Sequence, residues 1–179
     1  PPTLGLTLIL LQTGTPFMNA PSHAPVSLSV MPGPYIRRLQ QIAVAIFLQD
    51  TEGFGVTPVQ YGVLLTVSRQ PGLDQRTLAA LMGLDTSTTA GVVDRLEARD
   101  LLRRSASATD RRVKLLSITP EGHTLLADME PGVNKAQARM LEPLSDTEKP
   151  VFLDMLTRLV LTHNDVSRTP TEGAGVSDG

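Results

Sequence analysis

The chain has 179 residues, of which 41% are apolar, 19% charged and 3% aromatic; it has no Cys or Trp and carries a net charge of −2. Without Cys, disulfides, thiolate metal sites, Cys nucleophiles and thiol redox sensing are excluded, and the length allows one compact domain with extensions rather than a multidomain enzyme. A core poor in aromatics must be built from Leu, Val, Ile, Ala and Met, which suits helices packed on helices.

Residues 1–34 contain seven Pro and no charged residue before Pro34, and read as a poorly structured extension. The apolar run from Leu4 to Leu11 lacks a preceding basic residue and a following cleavage pattern, so no secretory signal is expected. The chain does not begin with Met, which leaves Met18 and Met31 as candidate starts. From residue 35 the pattern turns helical: Ile36, Leu39, Ile42, Ala43, Ile46 and Phe47 recur at three- and four-residue steps until Gly53 and Gly55. Thr57-Pro58-Val59-Gln60 combines a cap, a Pro at the first helical position and a Gln three residues after the cap, so a second helix starts at Pro58.

A short third helix follows, capped by Asp74 and stopped at Gly83, and Asp85 caps a fourth over Thr86 to Arg99. Two short helices joined by a turn make a helix-turn-helix. Leu101 to Ser105 and Val113 to Ile118 flank a polar tip and predict a hairpin. Thr119-Pro120-Glu121 restarts a helix, with a kink or break expected at Pro131-Gly132. Ser145-Asp146-Thr147-Glu148 reads as a capping box for the last helix, and residues 167–179 as a disordered tail. No run approaches the apolar length that spans a bilayer, and no membrane partner is expected.

A helix-turn-helix followed by a hairpin is a winged helix: mainly α, with a two-stranded β wing. Charge is distributed accordingly. Residues 69–114 carry nine Lys/Arg against six acids, a balance of +3, while the remainder carries −5. A basic segment in an acidic chain suits a polyanion-binding module, although a solvated charged face would show the same balance. The fourth helix can enter a major groove, presenting Ser87, Thr88 and Gly91 near its start and Arg95 one turn on. Ser87 and Thr88 equally suit helix capping. Arg111 and Arg112 at the hairpin tip can reach a minor groove, with Arg103, Arg104 and Lys114 along the phosphates. The histidines His23, His123 and His163 lack metal-ligand spacing, and no metal or cofactor is expected. There is no phosphate-binding Gly loop, His-Glu-x-x-His or nucleophile elbow, so an enzyme is not expected.

The segments Leu78-Ala79-Ala80-Leu81-Met82-Gly83, Val92-Val93-Asp94-Arg95-Leu96-Glu97 and Thr109-Asp110-Arg111-Arg112 through Thr119-Pro120-Glu121-Gly122 closely resemble the MarR family of winged-helix transcriptional regulators. The resemblance covers about Pro34 to Asn164, and the wing with its Thr-Pro-Glu-Gly helix start is its most specific part. It implies a homodimer joined through N-terminal (35–56) and C-terminal (119–166) helices around a winged-helix unit (57–118). It further implies a cytoplasmic repressor, bound to a palindromic operator in double-stranded DNA and released by a small aromatic effector, phenolic or carboxylate. Asp110 falls where the family's wing-stabilising Asp stands, and Arg111 where a minor-groove Arg is expected. Gly91 stands where many relatives have a larger polar side chain, and Asp100 replaces the Gly usual before the wing. A carboxylate or phenolate ligand needs cationic or hydrogen-bonding partners, for which Arg37, Arg38, Gln40 and Tyr61 are the candidates. Arg37 and Arg38 would serve equally as surface anchors of the helix start. A winged helix used for protein contacts or DNA architecture, without a ligand, is the alternative reading.

Overall fold

The computed structural model describes residues 31–166; the expectations for residues 1–30 and 167–179, and for His23, lie outside them. Helix α1 spans Pro32–Asp50, so the ordered helix begins before residue 35. Pro32 and Pro34 are accommodated because the first turn of a helix has no backbone partner for a proline N–H to lose. Helix α2 spans Pro58–Arg69 behind a complete capping box: the Gln60 amide donates to Thr57 Oγ1 (3.2 Å) and the Thr57 amide to Gln60 Oε1 (2.9 Å).

Helix α3, Gln75–Met82, is capped by Asp74 and ended by Gly83 in the left-handed region (φ 60°). Helix α4, Thr86–Ala98, follows directly behind its Asp85 cap. Strands β1, Leu102–Ala106, and β2, Lys114–Ile118, pair antiparallel with Leu102 opposite Ile118 and Arg104 opposite Leu116. The far side of β2 is joined by the segment before α3, where the Gly72 amide donates to the Leu116 carbonyl (3.0 Å) and the Leu116 amide to that of Leu73 (2.8 Å). Asp100, entering the wing, takes φ 53°, a backbone state that Gly adopts without strain and Asp tolerates better than most residues.

Helix α5 runs unbroken from Pro120 to Met140, with Pro131 inside it. The break expected at Pro131-Gly132 does not occur. Pro131 lies on the exposed side, and Gly132 has a different purpose: a Cβ there would overlap the Asp50 carbonyl oxygen, so its absence lets α5 press against the end of α1. Lys135 (2.9 Å) and Arg139 (3.5 Å) of α5 reach the Asp50 carboxylate, only 4% exposed, and fasten the crossing. Lys135 foremost holds the Asp50 carboxyl below its ordinary range. Helix α6 spans Glu148–Thr162. Only half of the expected capping box forms, since the Ser145 amide and hydroxyl both donate to Glu148 (2.8 and 2.7 Å) and Thr147 makes no side-chain cap.

The buried side chains form two clusters. The larger, around Val63, Leu64, Val67, Leu78, Val93, Leu96, Leu102 and Leu116, is the winged-helix core. The smaller, Phe47, Val56 and Met129 with Phe54, Tyr61, Leu125 and Val133 against them, joins α1, α2 and α5. Helices α1 and α6 keep large apolar side chains exposed, among them Tyr35, Ile36, Val151, Leu159 and Val160, and α6 buries no residue. No helix of the described residues is long and apolar enough to cross a membrane.

Candidate DNA-binding surface and ligand cavity

The start of α4 is organised by one carboxylate. Asp85 accepts from the Thr88 amide (2.7 Å) and from the hydroxyls of Ser87 (2.6 Å) and Thr88 (2.6 Å), and these donors hold it far below the ordinary carboxylate range. Asp85 is thus the cap of α4, and Ser87 and Thr88 steady its carboxylate while staying exposed, with their hydroxyl hydrogens committed to it and acceptor lone pairs left free. One turn on, the Arg95 guanidinium lies beside Gly91, within 3.9 Å of where a Cβ would stand. Arg95 is exposed and has no acidic partner among the described residues.

The wing tip is held by short-range hydrogen bonds. Asp110 Oδ1 accepts from the Arg112 amide (2.9 Å), the Val113 amide donates to the Asp110 carbonyl (3.0 Å), and Ser107 and Thr109 share a hydroxyl contact (2.9 Å). Asp110 thus fixes the backbone at Arg112 without engaging its guanidinium. Arg111, Arg112 and Lys114 are exposed and make no ion pair among the described residues. Arg112 and Lys114 also border a shallow hollow with Asp74 and Arg76.

Two wing arginines behave differently from each other. Arg103 makes an exposed pair with Asp100 (3.3 Å), the kind that water and salt readily exchange. Arg104, expected along the phosphates, is instead turned inward: its side chain is 25% exposed and pairs with Asp94 and with Glu97 (3.5 Å) on α4. Its charge is neutralised by two acids, so it clamps the wing to the helix and does not face outward. Asp94 and Arg104 lie ten residues apart, and neither hydrophobic period nor charge count marks them as partners.

Of the ligand candidates, Arg37 and Arg38 border an open depression at the start of α1 with Gly33, Pro34 and Gln41, and Gln40 is exposed beside them. Tyr61 is elsewhere, so within one chain the four do not converge. Tyr61 lines a cavity of about 520 Å³ between α2 and α5, together with Ser68, Arg69, His123, Glu130 and Asn134. Sequence reasoning missed these five. The signal was present: Tyr61, Leu65, Ser68 and Arg69 are spaced to share one face of α2, and His123, Glu130 and Asn134 one face of α5. Burial pushes the Tyr61 hydroxyl above its ordinary pKa, nearby Glu130 adds to that, and Arg69 opposes it. The cavity therefore offers a cation, an imidazole, a phenol and a carboxylate on partly apolar walls. Among the described residues no group of His or carboxylates is placed to hold a metal.

A family model described as the MarR family matches residues 54–113. A putative transcriptional regulatory protein for the hcr operon of Thauera aromatica is 37% identical over 139 residues, 77% of this chain and 82% of its own length. The structure of Bordetella bronchiseptica BpsR, whose DNA binding is regulated by 6-hydroxynicotinic acid, superposes with a TM-score of 0.72 at 30% identity, over 75% of this chain and 96% of that one. The transcriptional repressor CouR bound to a 23-mer DNA duplex does so with a TM-score of 0.71 at 30% identity, over 74% and 94%. CouR of Rhodococcus jostii RHA1 has also been solved with p-coumaroyl-CoA. With the winged helix, its outward cations and this degree of likeness in hand, the chain belongs to the MarR family and is a DNA-binding transcriptional regulator rather than an enzyme.

Proposed function

We propose that the protein acts as a homodimeric repressor on a palindromic operator and is released by a small aromatic ligand bearing a carboxylate or phenol. The observation that carries the reading is the set of cations Arg95, Arg111 and Arg112, exposed and without an ion pair among the described residues, on a winged-helix unit whose α2 also lines the Tyr61 cavity. In this reading Ser87, Thr88, Gly91 and Arg95 meet base edges and phosphates in the major groove. Arg111 enters the minor groove, Asp110 holds the wing tip, and Arg103 and Lys114 meet backbone phosphates.

The dimer follows from the apolar side chains that α1 and α6 leave in water, which a second copy would cover through residues 35–56 and 119–166. A two-fold pair of α4 helices about 34 Å apart would read successive major grooves, which makes the operator symmetric. Inside the cavity Arg69 and His123 suit a carboxylate, and Tyr61 and Glu130 a hydroxyl. Arg37, Arg38 and Gln40 contribute only if a second copy brings them there. A ligand that favours a lobe spacing out of step with the groove repeat by a few kcal/mol, about 5 for near-complete release, suffices.

The test is fluorescence anisotropy on duplex DNA from the protein's own upstream region and on a scrambled duplex, at two salt concentrations and with a panel of hydroxylated aromatic acids. Tight, sequence-selective binding that one acid abolishes is the expected result. Arg111→Ala should weaken binding and reduce the salt slope by about one. Equal weak binding to both duplexes would refute the specific-repressor reading and favour an architectural or protein-contact module.

A further inference from the structure

The C-cap position of α4 holds a cation that the functional reading leaves unused. Arg99 caps the helix C-terminus, and its side chain crosses to the connector between α1 and α2. There Nη1 donates to the Gly55 carbonyl (2.7 Å) and Nη2 to the Phe54 carbonyl (2.9 Å), bridging 44 and 45 residues of sequence. A planar guanidinium that meets two successive carbonyls fixes orientation as well as distance.

The connector is itself immobilised at both ends. On the α1 side the Thr51 hydroxyl donates to the Phe47 carbonyl (2.7 Å), and the preceding Asp50 is held by Lys135 and Arg139 of α5. On the α2 side stands the Thr57–Gln60 capping box. Between them Val56, buried, and Phe54 pack against Phe47 and Met129, and the Phe47 ring meets Tyr61 edge-on at 5.9 Å. Tyr61 is a wall of the α2–α5 cavity. The connector thus touches the end of α4 through Arg99 and, through Phe54 and Val56, the cluster that includes Tyr61.

We propose that Arg99 is a positioning residue: a strut that sets the angle of α4 against the α1–α5 frame and carries movement of the Tyr61 cluster to the DNA-reading helix. It does not contact DNA. The inference rests on the DNA-binding reading for its consequence, not for its geometry. Without the strut the lobe samples orientations that do not fit the duplex, and apparent affinity falls in proportion to the competent fraction that remains.

The test compares wild type, Arg99→Gln and Arg99→Lys in the full chain. Thermal melts and sedimentation establish that each is folded and in the same assembly. Amide hydrogen exchange without DNA should speed up at residues 54–57 and 95–100 in Arg99→Gln, with Arg99→Lys between it and wild type. DNA affinity should fall by roughly tenfold in Arg99→Gln, the size expected for losing one charged hydrogen-bond pair to water-exposed carbonyls, while the slope of log affinity against log salt stays unchanged. A slope reduced by about one would make Arg99 a phosphate contact and overturn the proposal. Unchanged exchange, or altered exchange with unaltered DNA affinity, would overturn it as well. A wild type that binds no specific DNA would sink the regulator reading, and the exchange data would still decide whether the strut exists.

Discussion

Replacing Gly122 by Ala puts the closest approach at the base of the wing under direct test. Gly122 lies in the first turn of α5, where its amide donates to Thr119 Oγ1 (3.0 Å). A Cβ there would overlap the Leu101 carbonyl oxygen and stand 2.7 Å from Ile118 Cγ1. Neither neighbour yields easily, since the Leu101 carbonyl accepts from the Thr119 amide (3.3 Å) and Ile118 is paired across the hairpin with Leu102. Restoring a contact distance of about 3.5 Å requires the turn to retreat by roughly 1 Å. Such overpacking costs ~1–3 kcal/mol, and the better helix propensity of Ala returns at most about 1 kcal/mol. With the middle of that cost, about 2 kcal/mol, the net loss is about 1–2 kcal/mol, a Tm lower by roughly 2–8 °C for a chain of this size. Gly91→Ala is the matched control, because its Cβ would meet only Arg95 Nη2 at 3.9 Å and should raise Tm through propensity alone. Calorimetry at one fixed protein concentration separates the two, a precaution needed if the chain dimerises. If both substitutions raised Tm, the close approach would not exist and the reason given for Gly in the Thr-Pro-Glu-Gly segment would be wrong.

Arg104→Ala should cost about 1–3 kcal/mol, because it leaves Asp94 and Glu97 facing each other without their cation, and amides of residues 102–118 should exchange faster; an unchanged urea midpoint would contradict the clamp. Glu130→Gln should bring the Tyr61 ionisation down and Arg69→Met should push it up, both read from tyrosinate absorbance. Because the folded pKa of Tyr61 is raised, its contribution to stability is complete below about pH 10 and is lost as pH rises beyond. Asp85 has the opposite sign: its folded pKa is depressed from 3.8, so its contribution is present above that value and disappears as pH falls below it. Urea midpoints should accordingly drop between about pH 5 and pH 3 in wild type and drop less in Asp85→Asn.

The sequence made the helix ends legible because each is written in neighbouring residues. Thr57 with Gln60, Asp74, Gly83, Asp85 and Thr119 are caps whose partners lie within a few positions, and all of them act as read. Apart from the half-formed box of Ser145 and Glu148, the expectations that changed are those whose partner is distant. Pro131-Gly132 reads as a kink or break by local rules; the helix runs on without a break, and the crossing of α5 over the end of α1 uses the missing side chain at Gly132. Arg104 looks like its neighbour Arg103 in sequence, and only the fold brings Asp94 and Glu97 to it. The same holds for the cavity: spacing puts Tyr61 and Arg69 on one face of α2, but nothing local says that His123 and Glu130 of α5 will oppose them.

The small sheet of the wing has one further property. A five-residue strand with unpaired backbone groups along its side is an invitation to any other extended chain, and a protruding hairpin displays such a strand to every copy of the protein. Here the β2 margin is taken up and the β1 margin is taken up at one amide. The residues before α3 take up the outer side of β2 through Gly72, Leu73 and Leu116, and on β1 the Arg104 amide donates to the Glu97 carboxylate (3.1 Å). What remains open is short and flanked by Arg103. The wing can thus project into solvent without seeding strand exchange between molecules, and variants that free either margin, such as Glu97→Ala, should show it first as concentration-dependent aggregation.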